Sequence, residues 1–294
     1  MYQVAPVSAR QFAAFRIVFG GYLAVHFAQL VPYASELFSG AGVLPDPRAN
    51  PIYGILPNAL AYWNTPHFAT GFVLALAILS ILFAAGIARH AVAVLLWYGW
   101  ACLFNRNVLI SNPSIPYVGL LLVLSLLVPA REPFQMGRRN TGAGFYMPAT
   151  VFWSAWALMA AGYTFSGLAK LQSPSWIDGS ALFHVLSSPL ARSTALTHFM
   201  LEQPMLLAGT TWAVLLLEVL FVPLAIWYRT RIHAWMSMVA LHLAIVAFID
   251  FADLSAGMLM VHLFTVDQRW LSALRERLFV LSSVERLSPR RATQ

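Results

Sequence analysis

Cysteine and charge are both scarce in this chain. Cys102 is the only cysteine in 294 residues, which excludes disulfides within the chain, CxxC redox centres and zinc sites built from thiolates. Charged residues make up 10% of the sequence, compared with about 25% in soluble domains, and hydrophobic residues make up 60%. With a mean hydropathy of +0.70, this composition excludes an ordinary soluble domain and predicts a helical protein that crosses a membrane several times.

Lysine is scarcer still, because the sequence has 17 arginines and one lysine, Lys170. Lys170 lies near the end of an apolar run, residues 163–171. A desolvated lysine can lose its proton, whereas an arginine effectively cannot. The position therefore indicates either an ionisable site in the membrane or, as the simpler alternative, an interfacial side chain with its ammonium group in the polar layer.

Positive charge is scattered along the chain. The net charge is +7, but the arginines lie at the ends of apolar segments, which is the distribution of the positive-inside rule and differs from that of a nucleic-acid-binding patch. We therefore expect no nucleic-acid partner. We also expect the arginine-rich side, with both termini, to be cytoplasmic.

Apolar runs of about 20 residues recur along the chain. They predict an all-α polytopic membrane protein with about eight transmembrane helices, two ordered external loop segments and a C-terminal interfacial helix. The predicted spans are 11–33, 67–87, 89–104, 115–130, 149–170, 205–228, 232–249 and 254–268. A re-entrant seventh or eighth segment is the alternative, because two aspartates, Asp250 and Asp253, crowd the hairpin between them.

The remaining segments complete the predicted domain organisation. External segments 34–66 and 171–204 are rich in proline, glycine and aromatic residues, so we expect them to pack as a cap over the bundle. Residues 1–268 are predicted to form the transmembrane domain. Residues 269–294 are predicted to form a cytoplasmic interfacial helix and a basic tail.

Polar side chains inside predicted spans are the first candidates for function. They are Arg16, His26, Glu218, His242 and His262. Arg16 lies about one turn into its span and its side chain can snorkel, which indicates a structural role. Glu218 lies too deep to snorkel, so we expect its carboxyl group to be either neutral or paired with a buried cation.

A proton relay or a metal site could be built from Glu218, His242 and Asp250. His242 and Asp250 are eight residues apart, which places them on similar faces of a helix. The chain has no HExxH, ExxH or paired-histidine spacing, so no metal site is predicted.

An asparagine-rich turn, residues 105–117, lies between the third and fourth predicted spans. Its amides could hydrogen-bond the polar head of a ligand, with Asn107 and Asn112 as the candidates. The alternative is capping of the helix that begins near Pro113 and Pro116.

Three motifs together resemble the HTTM family, the membrane region shared with vitamin K-dependent γ-glutamyl carboxylases. The first is the loop Phe38–Pro45 (FSGAGVLP), and the second is the asparagine-rich turn that runs into Tyr117–Leu121 (YVGLL). The third and most specific is Tyr163–Leu171 (YTFSGLAKL), which is followed by Trp176 and Gly179. The resemblance covers nearly the whole chain.

The resemblance implies a base and a cofactor. In the carboxylases, the lysine that matches Lys170 deprotonates vitamin K hydroquinone, so it implies Lys170 as the catalytic base and a reduced quinone as cofactor, with no haem. The other site residues expected on this basis are Glu218 and His242 for proton supply, Asn107, Asn112 and Tyr117 as contacts to the ligand head, and Tyr163, Phe165 and Trp176 as packing for its ring.

One departure from the family narrows the expected chemistry. The carboxylases carry a functional histidine in the asparagine-rich turn, whereas residues 110–114 here contain none. The resemblance therefore implies a membrane enzyme that uses a quinol for proton abstraction, oxidation or carboxylation, and not an animal-type protein γ-carboxylase.

Two other functions stay open at this point. One is a non-enzymatic membrane scaffold or maturation partner for a secreted peptide or protein. The other is a proton-coupled small-molecule transporter gated around Glu218, His242 and Asp250. The expected partners are membrane lipid, a quinone or related lipid, and a separately encoded soluble protein or peptide substrate, and the expected location is a bacterial cytoplasmic membrane.

Overall fold

The computed structural model describes residues 7–136 and 143–276 and is 73% helical. These residues contain no β-strand, and one isolated bridge pairs Ala191 with Ile249. The helices are α1 (Ala9–Leu30), α2 (Ala34–Phe38), α3 (Ala59–Tyr62), α4 (Pro66–Ala85), α5 (Arg89–Arg106), α6 (Ile115–Leu126), α7 (Ala149–Lys170), α8 (Pro174–Ile177), α9 (Ala181–Leu186), α10 (Ala195–Leu201), α11 (Pro204–Val219), α12 (Phe221–Ile226), α13 (Tyr228–Phe248) and α14 (Ala252–Phe264). The predicted all-helical fold is confirmed.

Local sequence signals set the ends of the long helices. α1 begins with a capping box, in which the Ser8 hydroxyl accepts from the Gln11 backbone N–H and the Gln11 side chain accepts from the Ser8 N–H. α4 begins after Thr65 with proline at its first position, and it ends at Gly86, whose φ of 75° suits glycine.

The number of spans differs from the prediction of about eight. Three segments are long and apolar enough to cross a membrane, namely Ala9–Phe38, Pro66–Ala85 and Tyr228–Phe248. A fourth is present if α10 and α11, which meet at 93°, are one broken span. Eight spans are therefore not supported, and the described residues give three or up to four.

Several of the other predicted spans are too short, are bounded by charged residues or are broken. α6 and α14 have 12 and 13 residues, and about 20 helical residues are needed to cross the hydrocarbon core. α5 has 18 residues but begins and ends with arginine. The predicted sixth span, 205–228, is divided among α11, α12 and the start of α13.

Both predicted loop segments have defined structure. Segment 34–66 contains α2, α3 and a short 3₁₀ turn, and segment 171–204 contains α8, α9 and α10. In the first segment, Asn58 donates to the Cys102 carbonyl (2.9 Å) and to the Asn105 side chain (3.1 Å). These bonds fix the segment onto the end of α5.

The predicted C-terminal interfacial helix is only partly within the described residues. Residues 268–276 are helical. Trp270 anchors this helix, since its ring lies 6.2 Å from that of Trp156 and 5.7 Å from that of Trp235. The rest of the predicted helix and the basic tail, residues 277–294, lie outside the described residues.

A buried ionic cluster joins the helices at one end of the bundle. The Glu132 carboxylate lies 3.4 Å from Arg16 Nε and 3.0 Å from Arg89 Nε, and all three side chains have zero exposure. Arg16 also donates to the carbonyls of Phe83 and Phe134. Arg16 does not snorkel as the sequence suggested, because it finds a carboxylate and carbonyl groups inside the protein. We call the end where α1, α7 and α13 begin the arginine end.

Candidate functional site

The lone lysine lies at the opposite end of the bundle, in the last turn of α7. We call this the lysine end. Lys170 Nζ makes an ion pair with the Glu218 carboxylate of α11 and donates to Ser166 Oγ at 2.9 Å. It also lies 4.9 Å from the centre of the Trp176 ring. The Lys170 side chain is 22% exposed and that of Glu218 is 7% exposed, so the pair is at the edge of the protein interior.

Two residues of α7 explain why Lys170 and Glu218 meet. Gly167 faces the end of α11 so closely that an added Cβ would lie 2.6 Å from the Val219 nitrogen. Thr164, one turn earlier, accepts from the Val222 N–H at 3.1 Å, where α11 gives way to α12. The glycine and the threonine therefore hold the broken end of α11 against α7 and bring Glu218 within reach of the lysine.

A second polar cluster lies deeper, around the Tyr163 hydroxyl. This oxygen lies 2.8 Å from His242 Nε2 and 2.7 Å from His262 Nε2. His242 Nδ1 in turn lies 3.3 Å from the Ser255 hydroxyl. A phenol has one proton to donate, so at least one of the two histidines must present an N–H to Tyr163. We call Tyr163, His242 and His262 the tyrosine–histidine cluster.

A cavity of about 210 Å³ connects the two polar clusters. Lys170, Glu218 and Ser166 contribute to one part of its wall, and Tyr163 and His242 contribute to another. The rest of the wall is formed by Pro113, Tyr117, Gly162, Leu241, Ile245, Leu254 and Met258. The cavity is thus apolar with a few polar groups directed to it, which is the usual character of a small-molecule site.

Five of the predicted site residues come together in this cavity: Lys170, Glu218, His242, Tyr117 and Tyr163. Tyr117 reaches the wall because Gly162 has no side chain. A Cβ on Gly162 would lie 1.5 Å from the Tyr117 hydroxyl. The glycine is therefore a requirement for this wall of the cavity.

The other four predicted residues do not line the cavity. Asn107 is fully buried and caps a turn, since it accepts from the Leu109 N–H and donates to the Leu37 carbonyl, both at 2.9 Å. Trp176 contacts the ammonium group of Lys170, whereas Phe165 is 73% exposed on the outer face of α7.

Asn112 belongs to a separate polar cluster. It donates to Asp253 Oδ2 at 3.0 Å, while Asp253 Oδ1 lies 2.7 Å from His26 Nδ1 and accepts from the Tyr22 hydroxyl at 3.0 Å. His26, Asn112 and Asp253 line a second cavity of about 280 Å³. Burial alone would raise the pKa of the Asp253 carboxyl, but the hydrogen bonds from His26, Tyr22 and Asn112 outweigh it and the pKa is lowered.

Sequence reasoning missed two members of the main site, Ser166 and His262. The spacing of Ser166 four residues before Lys170 was visible in the sequence, because residues four apart share a helix face. His262 was noted as a membrane histidine, but its contact with Tyr163 spans 99 positions and left no local signal. Asp250 does not line the cavity; its side chain is 75% exposed and pairs with Arg192 at 3.2 Å.

Metal binding has no geometric support in the part of the chain that the structure describes. Within it, no three residues among histidine, cysteine, aspartate and glutamate are grouped as metal ligands would be. The chemistry that the cavity offers is that of a paired amine and carboxylate, a phenol and two imidazoles.

Comparison with family models, with curated proteins and with solved structures finds no match for this chain. The resemblance to the HTTM family therefore rests on the motifs quoted above, and the function must be argued from the cavity.

Proposed function

We propose that this chain is an HTTM-like integral membrane enzyme that binds a reduced quinone or related lipid in the cavity at the lysine end and removes its hydroxyl proton. The single observation that supports this most is the ion pair of Lys170 with Glu218 on the wall of a small apolar cavity. A phenol bound in the cavity would have its hydroxyl group beside a base and a cation.

The size of the cavity supports a ring-sized ligand. Its volume is about 210 Å³, and an apolar cavity of about 150 Å³ holds benzene. One substituted ring fills such a space, and an isoprenoid tail would leave between the helices. When bound, a reduced quinone supplies an acidic hydroxyl group and, once deprotonated, an anion that reacts with oxygen.

Lys170 and Glu218 together form a base that leaves its cation in place. In one route, Glu218 accepts the ligand's proton while the Lys170 ammonium faces the oxygen that gains charge. In the other, Lys170 first passes its proton to Glu218 and the neutral amine accepts the ligand's proton. Both routes end with Lys170 and Glu218 protonated and the ligand oxygen held by the ammonium group. Arginine could take neither part of the second route, because it does not lose its proton.

The tyrosine–histidine cluster supports the same function from the other side of the cavity. After one turnover, Glu218 holds a proton that must leave before the next ligand binds. His242 lines the cavity and contacts Tyr163, which contacts His262, so a chain of exchangeable protons begins at the cavity wall. These groups would return the site to its starting state.

Quinol epoxidation by the purified protein in oxygenated lipid nanodiscs tests the proposal. We expect wild type to form epoxide and Lys170→Ala and Glu218→Gln each to lower the rate by about 10²–10⁴-fold, the usual contribution of a general base. Phe165→Ala is the matched control, because Phe165 lies on the same helix but away from the cavity.

Two outcomes would contradict the proposal. Epoxide formation that survives both substitutions would place the chemistry elsewhere. No epoxide from wild type with any menaquinol or ubiquinol would remove the quinol-base mechanism for those ligands and favour the scaffold function. In the transporter alternative, Asp250 would have to act from outside the cavity that Glu218 and His242 line.

A further inference from the structure

A further cavity lies along the first half of α7. It is a groove of about 390 Å³ between α7 on one side and α12 with the start of α13 on the other. Its wall is formed by Trp153, Trp156, Ala157, Ala160, Val222, Ala225, Ile226 and Arg231. We call it the tryptophan groove. The alanines form a trough between bulky side chains, a shape that suits a flexible hydrocarbon chain.

Among the residues that the structure describes, Arg231 is the one charged residue in the wall of the tryptophan groove. Its guanidinium carbon lies 4.8 Å from the ring centre of Trp153 and 5.7 Å from that of Trp156. Its Nε donates to the Ala225 carbonyl at 2.5 Å and its Nη2 to the Ile226 carbonyl at 3.0 Å. The guanidinium group is therefore held in a fixed position by two indole rings and by the end of α12.

No carboxylate neutralises Arg231 within the residues that the structure describes. The charge of Asp267 acts on Arg231, but the Asp267 carboxylate makes its bidentate ion pair with Arg269. Arg229 lies two positions away and is exposed. Among the described residues, the groove thus holds one guanidinium group that has no carboxylate in an ion pair with it, which favours an anionic ligand.

The groove is separate from the cavity proposed for the quinol. Trp153 and Lys170 are 17 positions apart on α7, which is about 25 Å at the rise of an α-helix. The two cavities use successive stretches of α7, because the groove is lined by residues between Trp153 and Ala160 and the quinol cavity by residues between Gly162 and Lys170.

We propose that the tryptophan groove binds one anionic phospholipid, with an acyl chain along the alanine trough and the phosphate on Arg231. The apolar wall accounts for the chain, and the unpaired guanidinium accounts for the charge of the head group. A neutral quinone tail would fit the trough but would leave Arg231 without a counter-ion. The assignment does not depend on the proposed enzymatic function.

Native mass spectrometry of the full chain in detergent tests this site. The protein is mixed with equal amounts of dioleoyl-phosphatidylglycerol and dioleoyl-phosphatidylcholine, and the retained lipids are counted. We expect wild type to prefer phosphatidylglycerol by about fivefold, since one arginine near an anionic head group contributes about 1 kcal/mol. Arg231→Gln should remove the preference, whereas Arg229→Gln, with the same change in net charge, should preserve it.

Two further variants separate binding in the groove from general attraction and from misfolding. Ala157→Phe fills the trough from an exposed position of α7 and should reduce retention of both lipids, whereas Ala75→Phe, at an exposed position of α4, should not. Arg231→Lys keeps the charge and should keep most of the preference. Equal retention of the two lipids by wild type, a preference that survives Arg231→Gln, or normal retention in Ala157→Phe would each overturn the proposal.

Discussion

The two ends of the bundle each bury basic side chains against a single carboxylate, but they do so in different ways. At the arginine end, Glu132 is shared by Arg16 and Arg89, and none of the three side chains is exposed. At the lysine end, Glu218 pairs with one cation, and both residues line a cavity. The first cluster is closed and the second is accessible to a ligand.

This difference separates a structural ion cluster from a chemical one. Arg16 and Arg89 donate further hydrogen bonds to backbone carbonyls, including those of Phe83, Phe134 and Val128. Such groups stay charged and fixed. Lys170 is surrounded by the Ser166 hydroxyl, the Trp176 ring and the cavity. Its amine, unlike a guanidinium group, can exchange its proton. The comparison predicts that damage at the arginine end appears as lost stability and damage at the lysine end as lost activity.

The largest effect on stability is expected from Glu132→Gln. It leaves two guanidinium groups buried without a carboxylate, and breaking a buried ion pair in this way typically costs about 3–5 kcal/mol. Thermal unfolding in detergent measures the loss. Glu218→Gln is the matched variant, and we expect a smaller loss from it because Lys170 has partial access to solvent. Equal losses from the two variants would remove the distinction between the two ends.

Lysine and arginine can be exchanged at each end to test whether the two cations have different roles. Lys170→Arg keeps an ion pair with Glu218, so we expect folding to be retained. Quinol epoxidation should fall by about 10²-fold or more if the neutral lysine amine is the base, because arginine cannot act as a base. Arg89→Lys keeps the charge but loses hydrogen bonds to buried carbonyls, and each unsatisfied group costs about 1–3 kcal/mol. Active Lys170→Arg protein would exclude the route through the neutral amine and leave Glu218 as the base.

Lys170 and Glu218 can also be moved apart without substituting either residue. Gly167→Ala places a Cβ 2.6 Å from the Val219 nitrogen, so α7 and α11 must move apart, at a cost of about 1–3 kcal/mol. We expect this variant to fold with reduced activity, because Lys170 and Glu218 no longer meet. Gly21→Ala is the control, since a Cβ there meets nothing within 4 Å. Full activity in Gly167→Ala would show that the pair is not needed for catalysis.

The sequence alone predicted part of the fold and part of the site. The composition predicted an all-helical fold. The depth of Glu218 in its apolar segment predicted that its carboxyl group is either neutral or paired with a buried cation. The identity of that cation depends on Gly167 and on the break after Val219, because their packing brings together Lys170 and Glu218, which are 48 positions apart along the chain. The asparagine-rich turn was ambiguous for the opposite reason, because a cap and a ligand contact need the same residues, and the structure shows Asn107 as a cap.

The span count was overestimated because hydropathy does not report helix breaks. The apolar stretch 205–228 contains the junction after Val219 and the bend at Trp227, and neither interrupts its apolar character. Those breaks place Glu218 and Arg231 at the ends of helical segments. The breaks that divide this one predicted span thus help to position the quinol cavity and the tryptophan groove.

The smallest effect is expected from Asp253, and it depends on pH. The folded protein lowers the pKa of Asp253, mainly through His26, so this carboxylate stabilises the fold above the ordinary pKa of about 4, and its contribution is lost as the pH falls through the lowered value. Wild type should therefore lose thermal stability between about pH 5 and 3 more steeply than Asp253→Asn. Tyr22→Phe, which removes one of the hydrogen bonds to the carboxylate, should give an intermediate slope. If Asp253→Asn follows the wild-type curve throughout, the His26–Asp253 pair contributes nothing to folding and the second cavity is held by apolar packing alone.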